Sequence, residues 1–355
     1  MAAITTYGDI SPAVAAYSVV RMLKRAMPYL HIEKFGQVYP IPNNATQTAK
    51  FRRYFLLGAS GAAGPNGGGP NGAGPAFNIP LSLTPLVEGV TPSGSQIANQ
   101  DYTVQLAQYG NFLTITDVIE DTHTDPILAQ MTDMLGEQAA VTLETLRFNV
   151  LKAGTNVWYA ALVAGRANVN TVITLTDQRR VTTGLNRQNA RKITTVVASN
   201  PDFSTKSVEA AYMALCHPDL ETDVRQMTGF VPVASYGTHT SPFEGEIGSV
   251  EQVRYLTSTV FFPFADAGGV TGAGTTYRST SGANVDVYPI MLFGRDAFGL
   301  VPLKGKSSMT PMVVNPKPAP GDPLGQRGTV GYKFWTATVI LQDAYMARLE
   351  VACSN

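Results

Sequence analysis

The sequence predicts an α+β protein, and three observations carry that prediction. Between Asp101 and Thr116 the residues alternate: Tyr102, Val104 and Leu106 against Thr103, Gln105 and Ala107, then Leu113 and Ile115 against Thr114 and Thr116. That is the period of a strand with one buried face. The period then changes, because Ile127, Leu128, Met131, Leu135, Ala139, Leu143, Leu146 and Val150 recur at helical spacing. Downstream, strand-like and helical runs mix without a repeat at solenoid or propeller spacing, as α+β chains do.

The long helix, over 126–152, carries its own boundary signals. Asp125 suits the cap, Pro126 the first helical position, Lys152 the negative end of the dipole and Gly154 the C′ stop. At about 1.5 Å per residue it runs roughly 40 Å, well beyond the usual three or four turns. A long strand feeding a long helix reads as a framework.

Ahead of it, residues 1–35 hold one amphipathic helix opened by Ser11-Pro12. Val14, Tyr17, Val20 and Leu23 lie on one side and Arg21, Lys24 and Arg25 beyond. It reads as an arm that docks on the body or on a neighbour. Pro28, Pro40 and Pro42 keep 28–47 extended. Thr48–Leu57 reads as a strand paired with the return strand from Asp101. A two-stranded ribbon is marginal alone in water, so this one predicts cover from another copy of the chain. Between its strands, 58–75 is built only of Gly, Ala, Pro, Asn and Ser and reads as a flexible loop, and Thr84–Pro92 is extended.

Past the long helix, 160–181 reads as strand and loop, and Thr183–Val197 as a helix. Thr205 suits the cap of another helix carrying Val208, Tyr212 and Leu215, with a short buried strand near Leu215–Leu220 and a helical turn through Met227. One long strand follows over 246–264, then a glycine-rich loop at Gly268–Gly282. Strands at Val285–Phe293, Thr329–Leu341 and Ala344–Ala352 complete the chain.

Composition narrows the function. The 355 residues are 44% hydrophobic and only 15% charged, against roughly 25% charged in an average soluble domain. A charge-poor surface this large predicts that neighbouring subunits cover much of it. Twenty-six basic and 26 acidic residues cancel, which argues against a polybasic nucleic-acid arm or a membrane-attracted patch. Cys216 and Cys353 form no CxxC and no zinc spacing, and fit a reducing compartment as small buried apolar residues. No apolar run approaches the ~20 residues that span a bilayer, and no secretory signal opens the chain. The expectation is a soluble protein made in a cytoplasm.

Residues with chemistry are sparse. Asp117, Glu120, Asp121, His123 and Asp125 could hold a divalent ion or act as acid and base, but acids also gather where a helix begins. His31, His217 and His239 lie far apart and read as structural or surface histidines. Gly67–Gly72 satisfies GxGxxG, yet Pro70 and Pro75 interrupt it and no helix follows. Cys216 and His217 are adjacent and would point to opposite faces of a strand. There is no GxSxG and no Walker sequence. No catalytic residue, cofactor-binding residue or metal ligand is therefore assigned, and no cofactor. Basic residues cluster at Arg21-Lys24-Arg25, Lys50-Phe51-Arg52-Arg53-Tyr54 and Arg187-Arg191-Lys192. Two or three charges in each suit pairing with acids on a neighbour better than binding a single strand.

Seven blocks, in order along nearly the whole chain, carry a resemblance: Lys50–Tyr54, Thr84–Pro92, Gln108-Tyr109-Gly110, Gly229–Pro232, Gly245–Gly248, Val285–Pro289 and Asp322–Gly328. With them the chain resembles the major capsid proteins of tailed phages, which share the Hong Kong 97 fold; the glycine-rich 58–75 is an addition to that pattern. The resemblance implies a structural protein and not an enzyme: a subunit that assembles, as hexameric and pentameric capsomers, into the icosahedral shell around double-stranded DNA. It implies an N-terminal arm over 1–47 and an extended loop over 48–118. A peripheral domain from 119–195 and 301–355 would surround a spine helix at 126–152, with an axial domain over 196–300. Arg52, Arg53 and Glu88 are the candidate inter-subunit contacts. Implied partners are the chain itself, portal, scaffolding and decoration proteins, and DNA held by weak non-specific contact, with no membrane. The implied location is the virion, with assembly in the host bacterial cytoplasm. Two other readings are a phage decoration or tail component, and a carboxylate metalloenzyme using Asp117–Asp125.

Overall fold

The computed structural model describes residues 30–54, 88–91, 99–118, 127–193, 210–236, 243–271, 277–303, 310–314, 316, 318 and 323–354. The expected N-terminal helix, the 58–75 loop and the helix capped by Thr205 begin or lie outside these residues. Three sheets and three α-helices organise the described residues. The first sheet is built on β13 (Arg327–Ile340), 14 residues long. Along β13 run β4 (Ala107–Thr116), β11 (Phe298–Pro302) and β12 (Thr310–Val314), with β1 (Gln37–Val38) parallel to β11 at the edge. The second is seven-stranded, in the order β5 (Val157–Tyr159), β14 (Met346–Val351), β10 (Tyr288–Phe293), β6 (Tyr212–Cys216), β9 (Val253–Thr257), β8 (Glu246–Val250) and β7 (Phe230–Pro232). The third is the ribbon of β2 (Thr48–Tyr54) and β3 (Asn99–Gln105), antiparallel with Arg52 opposite Asp101.

Helix α1 (Ile127–Leu151) extends roughly 38 Å and matches the predicted spine within a residue at each end. Its residues Leu135, Ala139, Ala140 and Leu143 are buried against Val330, Tyr332 and Phe334 of β13. Tyr109 of β4 stacks on Phe334 at 5.9 Å, and Tyr332 on Phe334 at 6.0 Å. One turn further on, Phe148 and Leu151 leave this core for a second one, with Phe243, Phe261, Phe293 and Phe298. The helix thus ties the two large sheets together. Gly154 is not a left-handed stop, because its φ is not among the positive ones. It sits where side chains approach closely: a Cβ there would stand 2.7 Å from Asp343 Oδ1 and 2.8 Å from Met346 Cε, and both side chains would have to shift.

Several expectations are corrected. The strand from Asp101 is two strands, because the chain changes sheets at Leu106, which is buried and donates its N–H to the Gln47 carbonyl at 2.9 Å. The helix expected at Thr183–Val197 is α2 (Leu175–Arg187), which begins inside the stretch read as strand and loop. Thr174 caps it, accepting the Asp177 N–H at 3.2 Å and donating to Asp177 Oδ2 at 2.6 Å. Tyr212 and Leu215 lie on β6, not on a helix. All five β6 residues are buried, Tyr212, Ala214 and Cys216 toward one core and Met213 and Leu215 toward the other. Both faces being apolar, such a strand shows no alternation. The strand expected over 246–264 is the hairpin β8–β9, turned at Glu251 with φ 50°, and α3 (Glu221–Gln226) follows β6 as the expected helical turn.

The seven-stranded sheet draws β5 from before residue 196 and β14 from after residue 300. The sequence-derived domain boundaries at both places therefore run through one sheet. Two cores line this sheet: α2 contributes Val181 and Leu185 to one, and α1 contributes Phe148 to the other.

Replacing Leu135 or Leu143 by Ala is expected to cost about 2–5 kcal/mol each, the range for emptying a buried leucine site. Chemical denaturation reads the loss, and an unchanged midpoint would remove these residues from the core.

Candidate functional site

The body of the chain covers the ribbon only sparsely. On β2 only Ala49 is buried, and on β3 no residue is. Its base is held where Ala49 and Leu106 pack with Ile41, Val301 and Ala337, beside Phe51, Val104 and Trp335. Toward the other end Tyr54 is 63% exposed. The base is thus folded into the first sheet while the rest projects.

Charge stiffens the ribbon from within. Arg52 Nε donates to Asp101 Oδ1 at 2.8 Å and Nη2 to Oδ2 at 3.1 Å, a bidentate pair across the two strands. Lys50 Nζ stands 2.6 Å from Asp101 Oδ2. The Arg52 guanidinium, with Lys50, holds the Asp101 carboxyl well below the usual carboxylate range, and Asp101 raises Arg52 further. Lys50 and Arg52 are therefore engaged in the same chain, not held for a neighbour's acids. Arg53, on the other face of β2, is half-buried, and Glu88 is exposed in the short stretch 88–91.

Two buried carboxylates outside the sequence-predicted site residues fix the neighbouring segments. Glu144, in α1, is fully buried and its Oε1 accepts the N–H groups of His31 at 3.0 Å and Ile32 at 2.8 Å. Arg147, one turn on, donates to Glu33 at 3.0 Å. Burial pushes Glu144 above the usual carboxylate range, opposed by Arg147 and the two backbone donors. Together these groups latch the segment entering at Leu30 onto the spine helix. The second carboxylate is Glu350 of β14, with no exposed surface. The fork of Arg166 closes on it at 2.7 and 2.8 Å, and Arg348 Nε lies 2.8 Å from it. Arg348 also donates to the Lys152 carbonyl just past α1, and Arg166 stacks over Phe264 at 3.6 Å. This cluster joins the end of the spine to the seven-stranded sheet. Glu144 adjoins the apolar stripe at Leu143, a weak sign of burial; Glu350 carries none.

The catalytic readings gain no geometry. Of the acidic run, Asp117 is described and its Oδ1 accepts the N–H of Val118 at 2.8 Å; Glu120, Asp121, His123 and Asp125 lie outside the described residues. Among the described residues no three His, Cys, Asp or Glu side chains gather as metal ligands. His31 is buried, and His217 Nδ1 accepts the Asp219 N–H at 3.2 Å; His239 lies outside. Cys216 and Cys353 are both buried, and burial pushes each thiol up to about 12. No described helix is long and apolar enough to cross a membrane.

Glu144→Ala would strand two buried N–H donors and leave Arg147 with Glu33 as its remaining carboxylate, and is expected to cost about 3–5 kcal/mol. Limited proteolysis should then cut near Leu30 faster than in the parent; equal rates would mean that this carboxylate does not hold the segment. Asp101 has a lowered folded pKa, so its contribution is complete above about pH 4 and lost as pH falls below it. Hydrogen exchange at β2 and β3 should therefore quicken below about pH 4 in the parent, and less so in Asp101→Asn.

The sequence and the fold agree with known proteins. Residues 100–347 match the family model described as phage capsid protein. The major capsid protein of Pseudomonas phage KPP21 is 20% identical over 262 residues, which cover 69% of this chain and 66% of that protein, just under two thirds of its length. The capsid of Ralstonia phage GP4 superposes with a TM-score of 0.60 at 13% identity, covering 90% of this chain and 87% of that one. The head of Helicobacter pylori bacteriophage KHP40 gives 0.56 at 14% identity over 90% and 87%. The cyanophage Pam1 capsid gives 0.54 at 14% identity over 100% and 95%. At these identities the solved structures establish a shared fold, while the family match spans well over half of the chain: it belongs to the phage capsid protein family.

Proposed function

We propose that this chain is the major capsid protein of a tailed phage, a subunit that self-assembles into the icosahedral shell around double-stranded DNA. The ribbon is the observation that carries the reading. It is a two-stranded element anchored at its base, with one buried residue in its 14, and such an element needs something to lie against. A neighbouring copy supplies that surface in a shell. Family membership and the likeness to solved capsids support the same reading.

In this reading the Hong Kong 97 arrangement applies: an arm over 1–47, an extended loop over 48–118, α1 as the spine, and an axial domain built on 196–300 whose sheet is completed by β5 and β14. Hexameric and pentameric capsomers form as the ribbon crosses onto an adjacent subunit. Glu88 and Arg53 reach across that contact, while Arg52 acts mainly by keeping the ribbon paired. Each exposed ion pair contributes little; repetition of the contact around the shell supplies avidity. Scaffolding, portal and decoration proteins and weakly held DNA are the remaining partners, with assembly in the host bacterial cytoplasm. The role is structural, without catalysis. A decoration or tail component is the second reading, and the long spine bridging two sheets favours the shell subunit. A carboxylate metalloenzyme at Asp117–Asp125 is the third.

Expression of the chain, with its scaffolding partner where one is needed, is expected to give closed shells by electron microscopy and megadalton mass by size exclusion. Deleting 59–74 should leave those shells intact. A monodisperse monomer under all conditions would end the shell reading, and stoichiometric bound metal would favour the enzyme.

A further inference from the structure

The segment Val157–Gly165 reads Val-Trp-Tyr-Ala-Ala-Leu-Val-Ala-Gly and carries no charged side chain. It begins as β5, at one edge of the seven-stranded sheet, and then reverses. The Val163 N–H donates to the Ala160 carbonyl at 3.4 Å across the turn. Ala161 lies at φ 52°, ψ 26° and Leu162 at φ 60°. Two successive left-handed residues are the mark of a type I′ turn, which ordinarily takes Asn-Gly because a Cβ opposes that conformation. A leucine there is an outlier.

The turn is held firmly in this state. Ala160 is fully buried, and the Ala161 N–H donates to Asp177 Oδ1 at 3.2 Å. Asp177 is itself 3% exposed and fixed by Thr174 at 2.6 Å and Arg180 at 3.0 Å. Strain of this kind persists only where the surroundings over-determine it. Yet the subunit gains little from the side chain, because Leu162 is 55% exposed. Ala161 and Ala164 are exposed beside it, and a Cβ on Gly165 would meet nothing within 4 Å. A leucine forced into an unfavourable backbone and then shown to water is disfavoured twice within its own chain.

We propose that Leu162 is an assembly contact, presented by this rigid turn as a knob that packs on exposed apolar surface of a second copy of the chain. The proposal rests on the shell reading above, in which copies of this chain are the neighbours of every subunit. Three observations favour a copy over a different protein. The turn adjoins a sheet edge where, among the described residues, β5 has one strand neighbour, β14. The chain as a whole is charge-poor, at 15%. It also carries exposed apolar surface of matching chemistry: Phe112 and Met312, 64% and 43% exposed, flank Gly331 in one row across the first sheet.

The test compares Leu162→Asn, which removes the aliphatic side chain but tolerates the left-handed backbone, with Ala161→Gly, which relieves strain and keeps the leucine. Full-length subunits are dissociated and reassembled across a concentration series, with light scattering and electron microscopy as readouts, and unassembled subunits are melted in parallel. Leu162→Asn is expected to hold or raise the subunit's melting midpoint while raising the threshold concentration for assembly about tenfold or more, the effect of losing one buried leucine. Ala161→Gly should raise the midpoint and keep the threshold within about twofold. A Leu162→Asn threshold equal to the parent's would overturn the contact, as would a lowered midpoint, which would show that the leucine works within its own subunit. Parent protein that never forms shells removes the shell reading and this contact with it. Parent shells alongside equally competent Leu162→Asn subunits remove the contact alone.

Discussion

The packing of α1 on β13 is the constraint on which the rest depends. β13 hydrogen-bonds β4 along ten residues of one edge and β12 and β11 along the other, and its Val330, Tyr332 and Phe334 lie under the helix. Strand periodicity makes this arrangement unforgiving. A slip of one residue would turn those three side chains outward and bring Lys333 under the spine. Register in β13 therefore fixes three neighbouring strands at once. Through Phe148 and Leu151 the same helix reaches the second core, and through Glu144 it holds the segment at His31 and Ile32.

What the sequence made legible follows from which faces are exposed. The spine helix and the ribbon are each wet on one side, so their periods of 3.6 and 2 survive in the residues, and both stand close to where periodicity puts them. The failures lie where both sides are dry. β6 is buried on both faces, so its apolar run lacks the alternation that separates strand from helix. α2 begins earlier than expected for a different reason: the β-branched Val172 and Ile173 just ahead of it read as strand, while the helix-opening pair Thr174 and Asp177 is the stronger local signal. The candidate contacts were legible as charges but not as partners. Nothing in one sequence says that Arg52 will meet Asp101, 49 residues away, or that Arg166 will close on Glu350, 184 residues away, because such pairing is set by sheet register.

The placement of charge sharpens the argument from composition. A chain with 15% charged residues is already poor in them, and ten Asp, Glu and Arg residues are buried among the described ones, including Glu144, Arg147, Glu246, Arg254, Arg348 and Glu350. Buried ion pairs of this kind are weak sources of net stability, because desolvation offsets their attraction, yet breaking one is costly. Their clearer effect here is to define joints: spine to entering segment at Glu144, spine to second sheet at Glu350.

Assembly from many weak contacts also places a demand on the subunit before it meets a neighbour. Every residue that must be ordered on docking subtracts from the affinity of that contact. The ribbon meets this demand through Asp101, which gathers Lys50 and Arg52 across the two strands and keeps them paired although little of the body covers them. The left-handed turn at Ala161 and Leu162 meets it differently, through a buried anchor at Ala160 and a carboxylate at Asp177. In both places the chain fixes an exposed element by interactions within itself, so that its conformational entropy is already lost when the copies close. An exposed element with no such internal support would cost its neighbour contact that entropy, and a shell multiplies any such cost by every copy it contains.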